Sequence, residues 1–268
     1  MLVPAAIVYS RVLIAEEKTE ESLSLIDEVK KLVKRQDFWE RLIVSQEVRL
    51  LLHLGDVVAA KQLFYKDVLY VKNATEPMHE FESLTYARVL IAAGAYEQVE
   101  LFLEQLLLAA ESDDRFGTRI EILLLQAVTF KRTNRVQKGI KALAEAIELA
   151  EEQGYVRIFL DEGEPVYELL QRMNPKGSSY AGKLLSIFKE KIKPSSEGPS
   201  LTNRELEVLR MMEEGSTNKD IADRMNVTVG TVKGYGTALF KKLGVHNRTQ
   251  AVARGKELNL MGGYDKNA

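Results

Sequence analysis

The residues best placed to do chemistry lie near the C-terminus. Between positions 228 and 242 the chain holds three lysines, Lys233, Lys241 and Lys242, and no carboxylate. Lys233, Thr237 and Lys241 recur every fourth residue, so a helix would set them on one face. A cationic, hydroxyl-bearing face without acids suits a phosphate-lined groove. Thr228 and Thr231 fall where such a helix would begin. There their hydroxyls and the free amides of the first turn can donate to phosphate oxygens. Alone, charges at this spacing describe a solvated helix face equally well.

Other chemistry finds little support. The sequence has no cysteine, which removes disulfides, thiolate metal sites and cysteine nucleophiles. Its three histidines, His53, His79 and His246, are scattered, so no paired metal ligands are expected. There is no phosphate-cradling glycine loop and no serine elbow. The acids of Asp161-Glu162-Gly163-Glu164 fit a turn and a helix start. The expectation is a non-enzyme without cofactor or metal.

The elements that must carry the lysines can be placed by their punctuation. Thr202 with Glu205 three residues later forms a capping box that opens a helix over 201–214, with Leu206 and Leu209 inward and Gly215 as its stop. A second helix fits Asn218 to Met225, with Ile221 and Ala222 inward. After Asn226-Val227-Thr228 a third runs from Val229 to Leu243, stopped by Gly244, and a fourth covers Arg248 to about Leu260. A short helix, a tight turn and a longer helix follow the helix-turn-helix plan, whose second member enters the major groove. Gly230, Gly234 and Gly236 are unusual in or beside that member. Each interior glycine costs about 1 kcal/mol against alanine. Weak sequence specificity, or a helix ordered only on DNA, is therefore expected.

These residues resemble the LuxR-type DNA-binding domain. The likeness rests on Leu201 to Leu209, Gly215 to Ala222, Thr231-Val232-Lys233, Lys242 to Val245 and Arg248 to Val252, in the family's order and spacing. It implies a four-helix domain that binds double-stranded DNA, commonly as a homodimer through its last helix. It also implies that base edges are met by Lys233, Gly234 and Thr237, that Asn218, Lys219 and Thr231 lie near the backbone, and that Glu205 pairs with Arg248. The sequence departs from the family at Tyr235, Gly236 and Ala238, where histidine, a branched aliphatic and asparagine are usual.

The first 150 residues repeat. Four segments align on turns at Glu17, Gly55, Gly94 and Asn134, spaced by 38, 39 and 40 residues. Five residues beyond each turn stands a small or modest side chain (Ser22, Ala60, Val99, Gly139), and nine beyond a large apolar one (Ile26, Phe64, Leu103, Leu143). Seven before come Ser10, Val48, Ala87 and Ala127; four before come Leu13, Leu51, Leu90 and Phe130. Small residues let paired helices approach and large ones fill the gaps. Neighbouring pairs must then stack into a solenoid to bury their faces. The pattern resembles tetratricopeptide repeats with lengthened helices. With Glu121 to Ala127 and Gly154 to Pro165, it is similar to the sensor domain of MalT-type transcription activators. Those carry an ATPase module ahead of the repeats, so the resemblance covers only their C-terminal part. Phe38, Trp39, Tyr65, Tyr70, Tyr86 and Tyr96 are candidates for a groove or for core packing. Residues 164–192 suggest two more helices, broken at Asn174-Pro175-Lys176-Gly177.

Composition frames the whole. The chain has 268 residues, 46% hydrophobic and 28% charged, a packed protein rather than a disordered one. Its net charge of −2 hides a split, because residues 201–268 carry +3 and residues 1–200 carry −5. No apolar run approaches the ~20 residues of a membrane span. The start, Met1 to Ile7, lacks the basic lead of a signal peptide. The expected organisation is an all-α chain: a tetratricopeptide-like solenoid over 1–192, a Pro/Gly/Ser-rich linker over 193–200, and the four-helix domain over 201–268. The expected function is a cytoplasmic transcription regulator, an activator by resemblance. Its repeats would sense a small-molecule or protein effector, with no membrane partner. The alternative is a protein-interaction adaptor whose vestigial C-terminal domain serves dimerisation.

Overall fold

The computed structural model describes residues 2–34, 37–67, 74–192, 201–245, 247–258 and 260. All regular structure among them is helical. The helices are α1 (Leu2–Ala15), α2 (Thr19–Val33), α3 (Asp37–His53), α4 (Val57–Asp67), α5 (Glu80–Ala92), α6 (Tyr96–Ser112), α7 (Phe116–Arg132), α8 (Val136–Glu151), α9 (Arg157–Asp161), α10 (Glu164–Met173), α11 (Tyr180–Ile192), α12 (Asn203–Glu213), α13 (Asn218–Met225), α14 (Val229–Leu243) and α15 (Arg248–Glu257). A single 3-10 turn, Pro77–His79, precedes α5. The expected linker, 193–200, lies outside the described residues, as does Tyr70.

The repeat turns share one physical cause. Glu17, Gly55, Gly94 and Asn134 all adopt positive φ, between 60° and 78°. At each, the amide of the next residue donates back to the carbonyl four residues before the turn: Lys18 to Leu13 (2.8 Å), Asp56 to Leu51 (2.9 Å), Ala95 to Leu90 (3.0 Å) and Arg135 to Phe130 (2.8 Å). This is the Schellman closure of a helix C-terminus, which satisfies an orphan carbonyl and reverses the chain. The same closure ends α12 at Gly215, α13 at Asn226 and α14 at Gly244.

The chain divides into two compact units, one formed by Met1–Asp67 with Pro194–Ala268 and the other by Val68–Lys193. In the first, α1 packs on α2, α2 on α3 and α3 on α4. Ile26 and Phe64 are fully enclosed, while Ala60 and Val48 line the close approaches. The first repeat replaces apolar contact with a buried polar set. The Ser10 and Ser22 hydroxyls lie 2.8 Å apart, and Gln46 Nε2 donates to Ser10 Oγ at 2.9 Å. In the same unit α12–α15 close on their own core of Val208, Leu209, Met212, Ile221, Met225, Val232, Leu239 and Ala251.

In the second unit α5 to α8 pack each on the next, and α10 covers α7 and α8. Val99, Leu103 and Leu143 are buried, as the repeat pattern requires. A Cβ on Gly139 would stand 3.2 Å from the Ala127 carbonyl oxygen, so the two small positions mark a true close approach. The two singled-out motifs of this region meet on one residue. Arg88 Nη2 lies 2.9 Å from Glu121 and 2.7 Å from Glu162, tying α5 to α7 and to the start of the α9–α10 turn. Burial opposes the guanidinium charge, but attraction to both carboxylates outweighs it and pushes its pKa up. Gly163 turns at φ 66°, Pro165 opens α10, and Asn174 ends it in the left-handed region.

Candidate nucleic-acid interface

The helix-turn-helix stands on strong local signals. Thr202 Oγ1 accepts from the Glu205 amide at 3.2 Å, and Glu205 Oε2 accepts from the Thr202 amide at 2.7 Å, closing the expected capping box on α12. A second box, not foreseen from the sequence although Thr217-x-x-Asp220 carries its signature, opens α13. Asp220 Oδ2 accepts from the Thr217 amide at 2.8 Å and from its hydroxyl at 2.7 Å. Those bonds, the hydroxyl's first, hold the Asp220 carboxyl below the usual carboxylate range. Asn226 at φ 54° makes the tight turn, and α14 follows from Val229 to Leu243. The helix runs unbroken through Gly230, Gly234 and Gly236.

Two further details differ from expectation. Leu206 is half-buried, and Val208, Met211 and Met212 join Leu209 on the inner face. Glu205 does not pair with Arg248. Lys242 Nζ donates to Glu205 Oε2 at 2.9 Å, while Arg248 Nη2 donates to the Met212 carbonyl at 2.6 Å. A lysine from the end of α14 reaches the start of α12, and the arginine is left to bind the α12 C-terminal carbonyls, where the helix dipole favours a cation. Lys242 is thereby a packing cation.

The candidate residues fall into two groups. Lys233 and Thr237 are exposed, one turn apart on α14, and the Thr237 hydroxyl donates to the Lys233 carbonyl at 3.0 Å. Lys219 is exposed and Asn218 half-buried at the start of α13. The side chain of Lys241 lies outside what is described. The second group touches the α3–α4 turn, with Thr231 buried and Thr228 still exposed. Thr228 Oγ1 donates to Asp56 Oδ2 at 2.5 Å, and Thr231 Oγ1 donates to the same oxygen at 2.8 Å. Gly234 is buried against the α3–α4 turn, where a Cβ would lie 1.6 Å from the Leu54 carbonyl oxygen. A Cβ on Gly230 would lie 2.3 Å from Asp56 Oδ1. These contacts join residues of the same compact unit. In the sequence Gly230 and Gly234 stand as costs in helix propensity, and Gly234 by resemblance also as a position that meets base edges. Their spacing of four, which strips one face of side chains, was the available sign of a close neighbour. Gly236 is different, because its Cβ would meet only Met212 Cε at 3.4 Å and Phe240 Cζ at 4.0 Å. Tyr235 is buried in the domain core, and burial pushes its phenol pKa up.

Comparison with known proteins agrees with the order of the two regions, repeats first and helix-turn-helix behind them. Residues 1–176 match the MalT-like TPR region. The chain belongs to the MalT-like TPR family. Behind that region this MalT-like chain matches the luxR family of bacterial regulatory proteins over residues 199–254. It is 27% identical over 208 residues to the HTH-type transcriptional regulator MalT of Yersinia pestis (strain Pestoides F) and of Yersinia pseudotuberculosis serotype O:1b (strain IP 31758). The MalT protein of Yersinia enterocolitica serotype O:8 shows the same identity over the same length. Each alignment covers 66% of this chain and 23% of the relative, so the chain spans about a quarter of the relatives' length. These matches are to regulatory proteins rather than to enzymes. Among the described residues no helix is long and apolar enough to cross a membrane, and no group of acids and histidines could hold a metal ion.

Proposed function

We propose that the chain is a DNA-binding transcription regulator in which α14 enters the major groove. Lys233, Gly234 and Thr237 face bases, and Asn218, Lys219, Thr228, Thr231 and Lys241 lie along the phosphates. The observation that carries this reading is the exposed pair Lys233 and Thr237 on the second helix of a capped helix-turn-helix. The domain works as a homodimer on DNA, in the cytoplasm, and the repeats sense an effector. Activation rather than repression follows from the family resemblance alone.

Fluorescence anisotropy on a random-sequence duplex at low salt tests the DNA reading. The Lys233→Ala/Lys241→Ala variant is expected to bind at least tenfold more weakly than the wild type. Equal binding by the two would remove α14 from the interface. No binding by either, at high protein concentration, would favour the adaptor reading.

A further inference from the structure

We propose that the α3–α4 turn of the repeat region is a docking site for the recognition helix α14, and that the docked chain withholds that helix from DNA. The inference rests on the DNA-binding reading above and adds a regulatory contact to it.

The contact is built from three features. The first is the absence of side chains on one face of α14. With Gly230 and Gly234 four residues apart, the backbone of the Leu54-Gly55-Asp56 turn comes within reach. A Cβ at 234 would stand 1.6 Å from the Leu54 carbonyl oxygen, and Gly55 lies against Gly234 with 3.4 Å between its own would-be Cβ and the Gly234 Cα. No side chain larger than hydrogen fits at 234 in this arrangement.

The second is the carboxylate of Asp56, only 1% exposed. Oδ1 accepts the Ala59 amide at 3.0 Å and so caps α4. Oδ2 takes both hydroxyls of the α14 start, Thr228 at 2.5 Å and Thr231 at 2.8 Å. Those are the donors expected to hold a DNA phosphate, and a helix N-terminus favours either anion. The carboxylate thus stands in for phosphate. The repeat architecture does not demand it, because the equivalent residues after the other three turns are Lys18, Ala95 and Arg135.

The third is the surround. Leu54 packs against the hydrophobic core of the DNA-binding domain. Glu20 accepts from Arg204 at 2.7 Å, and Glu17 lies 3.9 Å from Lys242. The turns of the first two repeats thus meet the C-terminal domain with complementary charge.

A duplex cannot occupy the same face of α14 as this turn. Docking and groove binding therefore exclude each other, and apparent DNA affinity falls by the fraction of undocked chains.

The test uses the full chain with changes confined to the turn. Asp56→Ser keeps a capping oxygen for α4 but is too short to reach Thr228 and Thr231, and Leu54→Ala removes the apolar anchor. The double variant is expected to bind the random duplex at least tenfold more tightly than wild type. Adding Lys233→Ala/Lys241→Ala to it is expected to remove that gain. If both proteins bind with the same Kd and the lysine changes weaken both, docking is overturned while the DNA-binding reading stands. If the gain survives the lysine changes, it does not come through α14 and docking is again overturned. If neither protein binds, both readings fall. Should the double variant melt at a much lower temperature, hydrogen exchange of the wild type decides. Amides of 54–60 must exchange faster when duplex is added, and unchanged exchange there, with DNA bound, refutes the contact.

Discussion

Gly234 and Gly236 lie two residues apart on α14 and answer to different neighbours. At 236 an alanine methyl meets Met212 and Phe240 at ordinary contact distance. Replacing glycine there recovers helix propensity, so Gly236→Ala should stabilise the protein by up to about 1 kcal/mol in urea unfolding. At 234 the same methyl runs into the Leu54 carbonyl, so Gly234→Ala should lose the contact between the α3–α4 turn and α14. Faster hydrogen exchange at the amides of Gly55 to Ala60 would register that loss. A Gly236→Ala variant less stable than wild type would contradict this account of the two glycines. The sequence alone showed both residues as costs, because helix propensity is local and the Leu54 carbonyl is not. Asp56 was missed for the same reason, since the residues it binds lie 172 and 175 positions away. Thr202 and Glu205, in contrast, were legible because a capping box is complete within four residues.

Among the elements, those closed by local hydrogen bonds were the easiest to foresee. The bounds of α13 and α14 follow from Thr217, Asn226 and Gly244, whose conformations are set by their immediate neighbours. The fourth helix of the domain ends at Glu257, short of the expected end near Leu260, and the Leu260 amide donates back to the Gly255 carbonyl at 3.0 Å. The α12 cap should be worth about 1 kcal/mol, so Thr202→Ala should lower domain stability by that amount in denaturant unfolding. In the repeats, turn and burial positions were visible because the same closure recurs with a small residue five places later. Leu143, on α8, is fully buried in the core of the second unit. Leu143→Ala should therefore cost about 2–5 kcal/mol, measured by urea unfolding of the full chain. A loss below 1 kcal/mol would mean that this position does not anchor the repeat. Ion pairs escaped the sequence reading. Arg88 on α5 meets Glu121 on α7 and Glu162 in the α9–α10 turn, and no periodicity marks such a meeting.

At the scale of the molecule, the all-α character and the helix-turn-helix were legible from composition, periodicity and capping. The cationic tail domain and acidic body were also visible, but no local pattern explains why Glu17, Glu20 and Asp56 stand at or beside the two turns nearest the N-terminus. The fold supplies a reason, since these acids face Lys242, Arg204, Thr228 and Thr231 in one compact unit. The most direct measurement for the central claim, that α14 meets DNA, is the salt dependence of binding. Wild type and the Leu54→Ala/Asp56→Ser variant would be titrated onto one random duplex from low to moderate salt. Displaced counterions contribute a slope of about −0.9 per phosphate contact. With several phosphates held, log K against log salt should fall with a slope of about −3 or steeper for both proteins, and the variant's line should lie above the wild type's. A flat line for either protein would contradict binding through the phosphates and with it the account of α14 as the DNA-facing helix.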